Sequence, residues 1–519
     1  MNKEFRKYAD DVVSGKIVAG HLVKLACRKY LSWLDGERDD IEFREDKAKK
    51  VENFINRLKH QTGKGFYNKP FILQDWQKWV VYNMFGFYYR GTDRRVINNA
   101  YIQISRKCGK TSLASAIGLY AMIADGEPGA EVDIVAPTRA QSQICLASAT
   151  EYIGTVNKGG LFTTLRNKIK FPNRKAFMQI MSSDAKFGDG FNSHVGILDE
   201  YHAFETNKVA DLIVSSMGAR TNPMMIYITT AGFNLYGPAK EYRDMCVELL
   251  QGLKDDDSVF AAIYELDSQD DWTDSNNWKK AVPSLGVTVS KSYIEKQIRM
   301  ARNNTSTEVN VKTKNLNMWC QSNEVWITHE DLMENMHKID LADFEGSPCY
   351  YGIDLATRKD LAGFAILFPP NPMREKFPDK FVFTVRAFVP EDNLQTSKNA
   401  DLYRRMKQGG FLITTPGNVT DYDYILNEMK KCTEQTGFPE YVAYDEFNAS
   451  QFTINAQEIG YNMEPFSQQL GSFNRPTKEF ERLLLSGKVV LDYSPLLLWC
   501  FQNVTLKEDP ITENIKPIK

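Results

Sequence analysis

The stretch NAYIQISRKCGKTSLASAIGLYAMIA, residues 99–124, constrains the fold more than any other part of the chain. The apolar run AYIQIS reads as a buried strand, and SLASAIGLYAMIA has the length and apolar content of a buried helix. Between them stands Gly-Lys-Thr. A strand, a tight loop and a helix N-terminus together aim backbone N–H groups at one point, which suits a phosphate. Lys110 would reach the β and γ phosphates and the Thr111 hydroxyl would bind Mg²⁺. The loop departs from the commonest pattern, because Ile104 stands where a first glycine is usual and Arg106 and Lys107 crowd it. The candidate nucleotide-binding residues are Ser105, Arg106, Lys107, Cys108, Gly109, Lys110, Thr111 and Ser112.

Short β-rich runs (EVDIVAP, HVGILDE, MMIYITT) alternate with helical stretches up to about residue 250, which predicts a mostly parallel sheet with its ligands at the C-terminal strand ends. Strands return near residue 348 with PCYYGIDLA, LAGFAILF and KFVFTVRAFV, so a second α/β unit fills the rest. Four regions are expected: helices over 1–65, a nucleotide-binding domain over 66–250, a charge-rich lid or linker without strong strands over 251–340, and the second α/β domain over 341–519. The 519 residues suit roughly two to four domains. A net charge of −2, from 64 basic and 66 acidic side chains, excludes a whole-molecule field for nucleic acid, so such contacts must be local. The densest basic cluster of the first half is Arg166, Lys168, Lys170, Arg174 and Lys175, either a DNA contact or an ordinary exposed hairpin. Eight scattered cysteines without a CxxC pair, no apolar leader and no run of about 20 apolar residues predict a soluble protein of a reducing compartment.

HVGILDEYHAF ends a second apolar strand in Asp199 and Glu200. Asp199 either caps the next helix or supplies a carboxylate to the Mg²⁺ shell, with Glu200 orienting the attacking water. A phosphate loop some 90 residues upstream favours the second reading. Phe71 and Gln74 offer an aromatic and an amide for adenine, although this segment also reads as core. MIYITTAG places Thr229 and Thr230 at a strand end, where hydroxyls can sense the γ-phosphate. Arg220, just before that strand, is either an arginine finger acting on a neighbouring subunit or an exposed residue, and Arg106 is the other candidate arginine.

In the second half, YYGIDLATRKD and EYVAYDEFNAS end strands in Asp354 and in Asp445-Glu446. Carboxylates on neighbouring strand tips can hold two divalent ions about 4 Å apart for phosphodiester cleavage, whereas turn aspartates are the plainer reading of either alone.

From about residue 70 onward these motifs, SRKCGKT, VAPTRAQSQ, SSDAKFGDGFNSHVGILDEYHAF, IYITTAGFN, WKKAVPSLG, VKTKNLNMW and GIDLATRKDLAGFAIL, resemble the large terminase subunit of tailed bacteriophages, the ATP-driven DNA-packaging motor. The resemblance implies an α/β chain with an ASCE-type P-loop NTPase domain, a C-terminal ribonuclease H-like nuclease domain and a small helical N-terminal region. It implies that Lys110 and Thr111 bind ATP and Mg²⁺, that Asp199 is metal-associated, that Glu200 is the catalytic glutamate, that Thr229, Thr230 and Ala231 couple hydrolysis to motion, and that Arg220 or Arg106 senses the γ-phosphate. Asp354, Asp445 and an accessory Asp360 would form a Mg²⁺ or Mn²⁺ nuclease site cutting concatemeric DNA, with SQQLGSFNRPTKEFERLL along its groove. The family's third metal ligand lies in a short Lys-Ile-Asp run near the C-terminus, which the sequence does not reach before Lys519, so either the sequence is truncated or the third acid is supplied differently. Asp509 is a poor substitute, and if Lys519 ends the polypeptide cleavage is expected to be weak or absent. The implied partners are double-stranded DNA, the small terminase subunit and the portal, with a pentameric ring acting in the host cytoplasm, transiently at the procapsid portal vertex, and not as a stable virion component. A helicase-like ATPase with an inert nucleic-acid module is the competing reading, since DEYH echoes DEAH-box helicases. A structural capsid protein would have no use for the paired Lys-Thr and Asp-Glu motifs.

Overall fold

The computed structural model describes residues 3–60, 65–154, 157, 159–181, 191–303, 305–320, 326–356, 360–397, 399–445, 449–509 and 514–518. Its contacts gather into two units, Met1–Ser322 and Asn323–Lys519.

Six parallel strands make the centre of the first unit, in the order Val259–Ile263, Asn99–Gln103, Met224–Thr229, Val195–Asp199, Glu131–Val135 and Ala176–Ile180. An antiparallel hairpin, Thr163–Leu165 and Lys168–Phe171, extends the last of them. The phosphate-loop strand and the acid strand are not neighbours, because Met224–Thr229 lies between and pairs with both. That extra strand between loop and acid is what the ASCE-type arrangement requires. The strands Val195–Asp199, Met224–Thr229 and Val259–Ile263 are buried along their whole length, as expected where helices cover both faces of a parallel sheet.

The N-terminal helices Lys3–Val13, His21–Leu34 and Glu45–Ile55 belong to this unit and share its core. Tyr8 sets its ring 5.5 Å from that of Trp79 and its hydroxyl 3.1 Å from that of Tyr264. Strand Ile41–Phe43 pairs antiparallel with Phe87–Tyr89. The expected strand-free lid over 251–340 is corrected here: VFAAI at 259–263 is a fully buried strand completing the sheet beside Asn99–Gln103. A five-residue apolar run behind the acidic KDDDS is too short to stand out by periodicity. The rest of that region divides between the two units.

The second unit has a mixed sheet in the order Met336–His337, Val489–Asp492, Phe381–Pro390, Ala362–Phe368, Tyr350–Asp354, Val442–Tyr444 and Met463–Pro465, with Ile413–Thr415 beside Phe381–Pro390. Its three central strands are antiparallel, while Val442–Tyr444 runs parallel to Tyr350–Asp354. The alternating burial of Ala362–Phe368 is the period-two signature of a strand with one face on the core. The candidate groove segment forms helix Leu470–Leu485, whose Phe480 stacks on Phe501 at 5.9 Å. Asp509 sits at the turn between strands Thr505–Glu508 and Ile515–Ile518, a hairpin separate from the main sheet.

Candidate active sites

The phosphate loop owes its shape to two left-handed residues, Lys107 at φ 67° and Gly109 at φ 84°. Gly109 precedes helix Lys110–Ile123, so the loop N–H groups and the helix N-terminus converge. The loop is braced from three sides. Ile104 N–H donates to Thr229 O (3.0 Å), Arg106 N–H to Lys314 O (3.1 Å), and the Ser105 hydroxyl to Ala281 O (2.8 Å). The segments WKKAVPSLG and VKTKNLNMW, without an individual role in the sequence, are therefore the wall of the phosphate loop.

Parallel strand order brings the distant acids to it. Thr111 Oγ1 lies 3.3 Å from Asp199 Oδ2, and Lys110 Nζ lies 3.4 Å from Glu200 Oε1. Burial and the neighbouring Glu200 push the Asp199 carboxyl up to about 6. Glu200 takes a left-handed backbone at φ 54°, and its Oε2 is buried without a hydrogen-bond partner. A hydroxyl and a carboxylate side by side, with an ammonium and a second carboxylate that keeps one oxygen without a hydrogen bond next to them, fit Mg²⁺ and a triphosphate.

Three residues that sequence reasoning did not single out complete this site. Gln77 has its Nε2 3.7 Å from where a Cβ on Gly109 would stand. His202 accompanies Glu200 in the DEYH string, which was the available signal. Asn317, fully buried at φ 60°, accepts from Ala231 N–H at 2.7 Å and donates to Tyr264 O.

In the second unit Ile353 pairs with Tyr444, so the next residues, Asp354 and Asp445, end neighbouring parallel strands at the same edge. Asp354 also pairs with Gly363 across the hairpin, which puts Asp360 in the loop at that edge. Asp354 and Asp360 are exposed. Hard carboxylate oxygens on adjacent tips suit a hard divalent cation. Among the described residues no third ligand joins them to make a metal cluster, and Glu446 lies outside the described residues.

Comparison with known proteins decides the family. The ATPase domain of the terminase large subunit matches residues 75–247, and its endonuclease domain matches residues 253–519, more than half of the chain. The chain belongs to the large terminase subunits. It is 32% identical over 347 residues to Protein YmfN of Escherichia coli (strain K12), covering 64% of this chain and 74% of that protein. It is 24% identical over 436 residues to the terminase large subunit of Enterobacteria phage HK97, covering 81% of each. The terminase large subunit of Lactococcus phage p2 is 23% identical over 371 residues, covering 69% of this chain and 67% of that one. The crystal structure of the HK97 bacteriophage large terminase superposes with a TM-score of 0.53 at 21% identity, covering 92% of this chain and 96% of that one, and so shares the fold. This terminase subunit is an ATPase and an endonuclease that serves ATP-driven DNA packaging and the cutting of concatemers. Domains of these two kinds generally use Mg²⁺ with ATP and work on DNA within a packaging complex. No described helix of the terminase chain is long and apolar enough to cross a membrane.

The structure bears on three of the expected residues of the terminase nucleotide site, Phe71, Gln74 and Arg220. Phe71 offers no free ring face for adenine, being 5% exposed with its ring 4.7 Å from His60 and 5.9 Å from Tyr152. Gln74 is taken up at the start of helix Asp75–Gly86, where its N–H donates to Gln77 and its side-chain oxygen receives the Trp76 indole N–H at 3.3 Å. Arg220 is held within its own chain rather than presented as a free arginine. It precedes strand Met224–Thr229, and in a parallel sheet that end is opposite the phosphate loop. Its side chain is 6% exposed and donates to Asn192 O, Pro128 O, Gly129 O and Glu127. Arg220→Ala is expected to cost about 2–4 kcal/mol by leaving carbonyls and Glu127 unpaired. Thermal melting should fall while the ATPase kcat stays within about twofold; a lost kcat at unchanged melting temperature would restore Arg220 to catalysis.

Of the loop residues, Cys108 is buried, its thiol pushed up to about 11 by burial, and Ser105 and Cys108 form the floor of the loop rather than its phosphate-facing side. Arg106 and Lys107 are exposed. Burial lowers the Lys314 and His202 pKa values most, and the nearby Arg106 guanidinium adds to it at both, after Lys110 in the case of His202.

Proposed function

We propose that Lys110, the loop N–H groups and Gln77 hold ATP, that Thr111 and Asp199 hold its Mg²⁺, and that Glu200 orients the attacking water. Arg106 contacts the γ-phosphate, and Thr229, Thr230 and Ala231 pass the state of that phosphate to the sheet and to Asn317. Bound Mg²⁺ supplies neutralisation of the phosphate oxygens. The observation that carries this reading is the meeting of Lys110 and Thr111 with Glu200 and Asp199 at 3.4 and 3.3 Å, across strands remote in sequence.

In the nuclease half, Asp354 and Asp445 with the accessory Asp360 hold Mg²⁺ or Mn²⁺, and a bound ion supplies activation of water and stabilisation of the leaving oxygen. Their support is the shared strand edge and the endonuclease-domain match. The domains of this reading are the ATPase and nuclease regions, with the N-terminal helices as a docking element for the small subunit or portal. Double-stranded DNA, the small terminase subunit and the portal are the partners, and a pentamer assembles transiently on the portal vertex in the host cytoplasm. Membership of the terminase family supports these partners.

Thr111→Ala tests the metal assignment. It is expected to raise the Mg²⁺ concentration for half-maximal ATP turnover by about tenfold or more, as losses in a metal's ligand shell do. An unchanged Mg²⁺ titration would contradict it.

A further inference from the structure

Glu200 stands in a left-handed backbone conformation that a non-glycine residue adopts at a cost, and such strain persists only where the surroundings enforce it. Asp199 Oδ1 accepts from Glu200 N–H at 3.0 Å and the Tyr201 hydroxyl donates to Asn207 at 2.6 Å, but it is the Thr229 side chain that ties the turn Tyr201–Ala203 to the adjacent strand. The Thr229 hydroxyl at the end of the adjacent strand donates its only hydrogen to Thr230 O at 2.8 Å. Two groups of His202 approach that same oxygen, the backbone N–H at 2.9 Å and Nδ1 at 3.0 Å. With that proton donated to Thr230 O, Thr229 Oγ1 accepts, and the hydrogen-bond pattern assigns the hydrogen to Nδ1. The other oxygens near Nδ1 agree. Thr230 Oγ1 at 3.4 Å donates its own proton to Ala231 O, and Glu200 Oε2, also at 3.4 Å, is a carboxylate oxygen. The ring is wedged as well, since a Cβ on Gly232 would stand 2.9 Å from His202 Cβ and 3.2 Å from the Trp319 ring.

We propose that His202 is a positioning residue for ATP hydrolysis, which clamps the turn carrying Glu200 to the end of the Thr229 strand through its Nδ1–H and its backbone N–H. The clamp joins the residue that orients water to the strand that leaves the γ-phosphate site, so both move together. This inference rests on the reading of Glu200 as the water-orienting residue.

The side-chain half of the clamp needs a donor at the Nδ1 position. An asparagine places its amide nitrogen there, whereas a glutamine places its amide nitrogen at the Nε2 position. ATPase kinetics of the full chain with His202→Ala, His202→Asn, His202→Gln and Thr229→Val would test it. His202→Ala and His202→Gln are expected to lose about tenfold or more in kcat with the ATP KM changed less than about threefold, and His202→Asn to keep most of the rate. The double variant His202→Ala/Thr229→Val should be no slower than the slower single variant, because Thr229→Val already removes the side-chain contact that His202→Ala removes. Wild-type kcat in His202→Ala, an asparagine variant as slow as the alanine one, or additive losses in the double variant would each overturn the clamp. If a variant unfolds, as read by thermal melting, the asparagine and glutamine pair still separates positioning from bulk. Glu200→Gln run alongside keeps the two ideas apart: turnover there would overturn the reading of Glu200 and with it the clamp, whereas a dead Glu200→Gln with a fully active His202→Ala would overturn the clamp alone.

Discussion

Lys110→Ala is expected to abolish ATP turnover, with a loss of about 10³-fold or more and a parallel loss of ATP affinity. The ammonium is the one basic group fixed inside the loop, 6% exposed and 3.4 Å from Glu200. In a dehydrated site a charge aimed at the β and γ phosphates is worth several kcal/mol, and each 1.36 kcal/mol is tenfold in rate. Removing it also leaves Glu200 and Asp199 as two nearby acids without their counter-charge, and Asp199 is already pushed up to about 6. Nucleotide affinity should therefore fall together with kcat, unlike the pattern expected for Glu200. Steady-state hydrolysis and binding of a fluorescent ATP analogue measure the two quantities; near-wild-type turnover would mean that another lysine serves the phosphates.

The second large effect belongs to the other unit. Asp354→Ala and Asp445→Ala are each expected to remove Mn²⁺-dependent nicking and linearisation of plasmid DNA by about 10³-fold or more. The two carboxylates end adjacent parallel strands, so neither can take over the other's place at a shared cation, and metal stabilisation of the leaving oxygen is worth several kcal/mol. ATPase activity should be unaffected, because these residues belong to a unit with its own sheet and core. Chelation by EDTA should mimic the substitutions, and equal digestion by both variants and the wild type would place the cleavage elsewhere.

The parts of the sites that follow from local pattern were legible in the sequence. Lys110, Thr111, Asp199 and Glu200 each sit at the tip of an apolar strand or loop whose neighbours identify it, and the strand tips at Asp354 and Asp445 follow the same rule. What depends on strand order was not. The contact of His202 with Thr229 needs the strand Met224–Thr229 to lie beside Val195–Asp199, and that of Asn317 with Ala231 spans 86 residues. Arg220 shows the same limit in reverse. Its nearness to a functional strand in sequence suggested the active site, but it stands before that strand, at the end where a parallel sheet carries no ligand. Phe71 is misleading for another reason: a ring that could stack on adenine has the same composition signal as one stacked on Tyr152 in the core.

In the ATPase site as proposed, Lys110 binds the nucleotide and Glu200 orients water. The most direct test is ATP binding and hydrolysis measured side by side in Glu200→Gln. The predicted result is ATP affinity within about threefold of the wild type and turnover reduced by about 10²-fold or more, since the amide fills the same space but cannot take a proton from water. Hydrolysis at the wild-type rate in Glu200→Gln would contradict the assignment of the site.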